Sequence, residues 1–215
     1  MPLPSSPRDA RDEGPFRILV VCTGNVCRSP LAAAVLRARL AQGTDAIAVA
    51  SAGLQPREGE PVDPAVAREA GRLGVDVAGH AARALRLDEV MTSDLVIVAT
   101  RRQRAVVAEL APAAASRTFT LLELDATLAQ LDAGDVATPA PPVARDRLTQ
   151  VVRAAARARG PAARGLAIDL PDPYRGSAEV HRGVADLVAS ASDRIAERLL
   201  ALGASTPSAQ ESAAP

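Results

Sequence analysis

Apolar residues in this chain fall into short continuous runs, separated by longer stretches in which they recur every three or four positions. Arg17–Val21 is the first run, apolar without a break from Ile18, and it predicts a strand buried on both faces. Ala46–Ala50 predicts a second buried strand, Leu95–Ala99 a third and Thr118–Leu121 a short fourth. Helix patterns lie between them: Ser29 to about Gln42, Asp63-Pro64 to about Leu73, Leu87–Thr92, and about Arg101 to Leu110. Gly74 and Pro112 mark two of the stops. Residues 54–64 and 76–86 read as irregular connections. Alternating strands and helices predict an α/β domain over 16–202, a four-stranded parallel sheet with helices on both faces. Ligands of such sheets bind at the carboxyl ends of the strands.

Three further stretches complete the pattern. Pro139, Pro141 and Pro142 interrupt an Ala/Arg-rich region at about 125–165 that turns helical near Leu148–Ala158. It is expected as a partly flexible insertion near the rim of the site. From Ser177 to Leu200, apolar residues at 180, 184, 187, 188, 191, 195 and 199 trace one helix face. Residues 1–15 and 203–215 are polar, contain proline and lack periodicity, as disordered tails do.

Composition narrows the function classes. An apolar share of 48% over 215 residues suits one domain with a real core. With 25 acidic and 25 basic residues the chain shows no basic footprint for nucleic acid or an acidic membrane surface. All 25 basic residues are Arg, so a phosphate-loop lysine and a Schiff base are excluded. The aromatics are Phe16, Phe119 and Tyr174, too few for a platform stacking single-stranded nucleic acid. Two Cys five positions apart do not make a secreted disulfide framework, and no apolar run reaches the ~18 residues that span a bilayer. No signal-peptide core opens the chain, so a cytoplasmic location is expected, without membrane or nucleic-acid partner. Two His and two Cys show no metal-ligand spacing; neither metal nor cofactor is expected.

The candidate chemistry sits where the first strand ends. Cys22-Thr-Gly-Asn-Val-Cys-Arg-Ser-Pro30 is a Gly-containing loop leading into a helix, with Ser29 the expected N-cap and Pro30 its first residue. Such a loop turns successive N–H groups inward at a helix N-terminus and cradles a doubly negative group. Cys22 lies at its base, and Arg28 can offer a planar fork to the same anion. Neighbouring Arg and helix N-termini favour the reactive thiolate form of a cysteine, and Ser29 could donate to the sulfur. A bare Cys-x5-Arg means little among 25 Arg; Gly24, Asn25, Ser29 and Pro30 at a strand-to-helix junction make it informative. The arrangement suits in-line attack on phosphorus. The matching proton donor, later the base for water, is Asp172 in Leu170-Pro-Asp-Pro-Tyr174, a loop stiffened by two prolines. Asp169 could support that loop, whereas His181 reads as a surface residue without a role.

The loop resembles the signature of the low-molecular-weight protein tyrosine phosphatases. Weaker matches at Ser51-Ala-Gly53, His80-Ala-Ala-Arg83 and Asp94–Val98, with a specific one at Asp172-Pro-Tyr174, extend it over most of Phe16–Leu200. The resemblance implies a phosphomonoesterase, most simply a protein-tyrosine phosphatase, acting on a phosphotyrosine protein or aryl phosphate through a cysteinyl-phosphate. It makes Cys22 the nucleophile, Arg28 the clamp and Asp172 the general acid. Thr23, Gly24, Asn25, Val26, Cys27 and Ser29 bind phosphate, with Ser51 and His80 in support. It also implies a reversible Cys22–Cys27 disulfide on oxidation. Val26 stands where phosphoarginine-directed relatives tend to carry Thr and leans toward an aryl phosphate. Arsenate-reducing relatives need thiols that this chain lacks. At the rim, Arg57 and Arg175 replace common aromatics beside Tyr174, which favours an acidic peptide or a second phosphate. That loss also motivates an alternative, a phosphate-binding regulator without turnover.

Overall fold

The first apolar run forms β1 (Phe16–Cys22), and the chain alternates from there. It continues through α1 (Arg28–Leu40), β2 (Ile47–Gly53), α2 (Pro64–Arg72), α3 (Leu87–Thr92), β3 (Leu95–Val98) and α4 (Arg101–Leu110). A 3₁₀ turn (Pro112–Arg117), β4 (Thr118–Thr120) and α5 (Leu121–Leu128) follow. A second 3₁₀ turn (Ala133–Asp135), α6 (Ala144–Ala162) and α7 (Ala178–Ala204) complete the order. This computed structural model describes residues 14–44, 46–136, 144–162, 165 and 167–204. Of the expected tails at 1–15 and 203–215, residues 1–13 and 205–215 lie outside the described residues, as do Pro139, Pro141 and Pro142, while α7 itself runs two residues past the expected boundary at 202.

The four strands pair in parallel in the order β2-β1-β3-β4. β1 is central, and its period-2 alternation feeds two cores. Ile18, Val20 and Cys22 face α1, α2, α5, α6 and α7; Leu19 and Val21 face Val90 of α3, Val107 of α4 and the first 3₁₀ turn. Each such aliphatic side chain taken from water contributes roughly 1.5–3 kcal/mol, so both faces of β1 are strongly specified. One consequence matters for chemistry: Cys22 is fixed at the carboxyl end of this strand, 2% exposed.

Four expectations need correction. β2 is not buried; it takes the edge of the sheet, pairs with β1 and, at Gly53 alone, with Ala84 among the described residues, and leaves Ala48 and Ala50 exposed. Among the described residues of 125–165, none lines the cavity that holds Cys22. In α6, Leu148, Val151, Val152, Ala154 and Ala155 are buried, and Arg145 makes two bonds to Asp94 (3.0 and 3.1 Å). Asp94 precedes β3 and also accepts from Arg17 N at 2.8 Å, so this pair marks the foot of the sheet, opposite Cys22. The stripe on α7 is narrower than its sequence pattern, since Val180 and Leu187 are exposed at 41% and 44%. His181, read as a surface residue, is buried in the first turn of that helix: its Nδ1 donates to Ser177 O (2.9 Å) and its Nε2 lies 3.7 Å from Asp63.

Candidate active site

The segment between β1 and α1 is built as a backbone cradle. Its carbonyls all turn outward and are satisfied. Those of Cys22, Thr23, Gly24 and Val26 accept from the N–H groups of Leu54, Gln55, Arg57 and Asp63 (3.0, 2.9, 3.1 and 2.9 Å). That of Asn25 accepts from His80 Nε2 (2.7 Å), and that of Cys27 from Leu31 N (3.3 Å). No hydrogen bond among the described residues uses the N–H groups of Gly24, Asn25, Val26, Cys27 or Arg28. Buried N–H groups are rarely left unpaired, so five in succession describe a site made for an anion's oxygens.

Helix capping here departs from expectation. α1 starts at Arg28 with Cys27 as N-cap and no side-chain cap, whereas Ser29 and Pro30 fall inside the first turn. Ser29 Oγ lies instead 3.0 Å from Cys22 Sγ, where its hydroxyl can donate to a thiolate.

Asn25 holds the loop open from behind. Its φ of 56° is left-handed, a conformation asparagine tolerates better than most residues. Its Nδ2 donates to Ser29 Oγ (2.9 Å) and Ser51 Oγ (3.0 Å), and its Oδ1 accepts from Arg83 N (3.1 Å). Asn25, Ser29, Ser51 and His80 are thus brought into one network. Gly53 backs it so closely that a Cβ there would meet Thr23 O at 2.6 Å.

Arg28 is 6% exposed. One terminal nitrogen donates to Asp172 Oδ2 (2.9 Å), the other to Leu170 O (3.4 Å), and its buried Nε has no partner. The 169–174 loop is seated on the sheet by Leu170 N donating to Ala99 O (2.9 Å), and Asp169 accepts from Arg101 N (2.7 Å). Asp172 Oδ1 accepts from Tyr174 N (3.3 Å) in a tight turn, leaving its carboxyl 56% exposed. Cys22, Arg28, Asp172, Val26 and Tyr174 line one cavity of about 190 Å³. A larger cavity of about 640 Å³ lies behind the loop against Ser51 and His80, without Cys22, Arg28 or Asp172 on its walls.

The second thiol differs in kind. Burial, then the charges of Asp63, Cys22 and Asp172, pushes Cys27 up to about 12, against a smaller opposing effect of Arg28. Both cysteines are free. At the rim, Arg57 and Arg175 each lie over the Tyr174 ring at 5.3 Å, and Arg57 is also held by Glu60 at 2.6 Å.

Sequence reasoning missed Gln103. Buried at the start of α4, it accepts from Ala99 N (2.9 Å) and Thr100 N (3.1 Å) through Oε1 and donates to Thr23 Oγ1 (3.0 Å) through Nε2. The Thr100-x-x-Gln103 spacing is a readable capping box, but only the β1–β3 adjacency shows that the amide reaches the cradle. Among the described residues no cluster of His, Cys, Asp and Glu could hold a metal ion, and no helix is long and apolar enough to cross a membrane.

Comparison with known proteins agrees with this geometry. The family model described as low molecular weight phosphotyrosine protein phosphatase matches residues 17–155, a span that holds the cradle and stops short of Asp172. A Ralstonia nicotianae protein named "Probable low molecular weight protein-tyrosine-phosphatase EpsP" is 36% identical over 108 residues, 50% of this chain and 72% of its own. The protein-arginine-phosphatase of Geobacillus stearothermophilus is 28% identical over 185 residues, 86% of this chain and 97% of its own. The crystal structure of the tyrosine phosphatase Wzb from Escherichia coli K30, in complex with sulphate, superposes with a TM-score of 0.60 at 26% identity, over 86% of this chain and 98% of that one.

Proposed function

The chain belongs to the low molecular weight phosphotyrosine protein phosphatase family, hydrolases of phosphoric monoesters, and from that premise we propose that it dephosphorylates phosphotyrosine through a covalent phosphocysteine. One observation carries the reading: five successive N–H groups lack acceptors, and four of their residues, Gly24, Val26, Cys27 and Arg28, line the cavity with Cys22 and Asp172. The phosphoryl oxygens take those N–H groups, from Gly24 to Arg28, and the fork and free Nε of Arg28.

The thiolate of Cys22 attacks phosphorus in line with the ester oxygen. The P–O bond breaks, and Asp172 gives its proton to the departing phenolate. Water then attacks the phosphocysteine, with Asp172 taking its proton. The P–S bond breaks and sulfur leaves as thiolate, eased by the Ser29 hydroxyl. Arg28 is paired with Asp172, so a phosphoryl group bound in the cradle competes with this side chain for the guanidinium.

Val26, 5% exposed on the cavity wall, offers an apolar flank to an aryl ring and no hydroxyl for a guanidino group. The longer match to an arginine phosphatase makes phosphoarginine the competitor to test. In competition among phosphotyrosine, phosphoarginine and phosphoserine peptides, phosphotyrosine is expected to lead; preference for phosphoarginine would replace the aryl assignment. Cys22→Ser should abolish turnover. Asp172→Ala should lower kcat on aryl phosphate by ~10²–10⁴-fold and leave phosphate binding intact or tighter. Full activity after either change would refute the mechanism. The cytoplasm, where thiols stay reduced, is the compartment that suits this nucleophile.

A further inference from the structure

A second lobe opens beside the catalytic pocket, with a volume of about 410 Å³. The two share Thr23, Arg28, Gln55 and Asp172 as common walls, so they form one continuous cleft. The catalytic lobe alone, at about 190 Å³, falls short of the roughly 300–1,000 Å³ typical of ligand sites. Substrate therefore has room to continue into the second lobe.

The walls of that lobe say what belongs there. Leu54 and Val106, the latter 40% exposed, give it an apolar side. Arg102 supplies a cation, and among the described residues it makes no ion pair. Its neighbours are all committed: Arg101 to Asp169, Arg104 to Glu123, and Arg57 across the mouth to Glu60. The nearby acids are committed too, Asp172 to Arg28 and Asp169 to Arg101. The side-chain amide of Gln55 borders both lobes and makes no hydrogen bond among the described residues, so it is a further donor. The free positive charge at this mouth thus lies at Arg102 rather than at the rim pair Arg57 and Arg175, which rest on Tyr174.

We propose that this second lobe receives an anionic side chain, carboxylate or phosphate, close in sequence to the phosphotyrosine of the same peptide, with Arg102 as its charge partner. This rests on the phosphatase reading above. The planar guanidinium suits either group, and the apolar wall packs the methylenes that carry it. Arg102 is a specificity residue here, remote from the reacting atoms.

The test is kcat/KM for phosphotyrosine peptides of one length that carry Asp, phosphoserine, Ala or Lys at each of the two positions on either side. At one offset or more, Asp and phosphoserine should exceed Ala by about two- to fivefold, the scale of an exposed charge pair. The Asp and phosphoserine arms separate carboxylate from phosphate recognition. The Asp-to-Ala ratio should fall to about one in Arg102→Ala, and Arg102→Glu should invert it in favour of Lys. Because the readout is a ratio within each variant, a general loss of folding or turnover does not imitate it. No preference for an anion at any offset, or one that persists in Arg102→Ala, would overturn the subsite and leave the phosphatase standing. Absence of p-nitrophenyl phosphate turnover by the unaltered chain would overturn both.

Discussion

Cys22 and Cys27 stand five positions apart, yet their surroundings assign them different chemistry. Cys22 ends a strand beside a hydroxyl and at the base of the cradle. Cys27 caps α1, 4% exposed, with Asp63 near it, and its thiol is pushed up to about 12. A raised acid has a definite sign in stability. Below its ordinary value of 9.0 the thiol is protonated in folded and unfolded chains alike, and nothing is lost. Between 9.0 and about 12 the unfolded chain releases a proton that the folded one keeps, so stability falls as pH rises. Urea unfolding at pH 8 and pH 10 should show this alkaline loss, with a slope below the ~1.4 kcal/mol per pH unit that one proton sets. Cys27→Ala should flatten it. An unchanged alkaline limb in that variant would place the loss elsewhere. At neutral pH a thiol pushed up to about 12 stays protonated, so iodoacetate should spare Cys27.

At the scale of elements, α4 does more than cover the sheet. Its capping residue Gln103 satisfies Ala99 N and Thr100 N at the end of β3 and, through its other amide atom, grips Thr23 in the cradle. Gln103→Ala leaves the half-buried N–H of Thr100 without its acceptor, while Ala99 N keeps its bond to Val21 O (3.2 Å), a loss of roughly 0.5–1.5 kcal/mol. For a domain of this size that lowers Tm by about 2–4 °C per kcal/mol. The released Thr23 should also lower kcat/KM on p-nitrophenyl phosphate severalfold. A Tm loss with unaltered kinetics would show Gln103 to be a cap alone. The capping box was legible from Thr100 and Gln103, since it is written at fixed spacing within one segment. The grip on Thr23 was not, because it depends on β1 and β3 lying side by side, a pairing between residues about 80 positions apart.

The whole molecule divides along the strands: chemistry at their carboxyl ends, an anchoring device at their feet. The upper half was largely legible. Cys22, Arg28, Ser29, Asn25 and Asp172 are polar residues at places where local pattern demands a loop, and four of them lie within eight consecutive positions. The lower half was not, because Arg145 and Asp94 carry no local sign of being partners. An Ala/Arg-rich helix after a proline cluster reads as a solvated excursion unless the opposing surface is known. That surface is Asp94, its side chain 8% exposed against 6% for Arg145, and buried carboxylates require a partner. Arg145→Met should therefore destabilise the fold by about 3–5 kcal/mol, the cost of stranding a buried charge. The companion Asp94→Asn should restore part of that loss by removing the charge itself. Cys22 lies five residues along β1 from Arg17, or about 16 Å at ~3.3 Å per residue. At temperatures where the variant stays folded, KM for p-nitrophenyl phosphate should consequently match the unaltered chain. A shifted KM with unchanged stability would instead return the 125–165 region to the rim of the site, where its sequence alone had placed it.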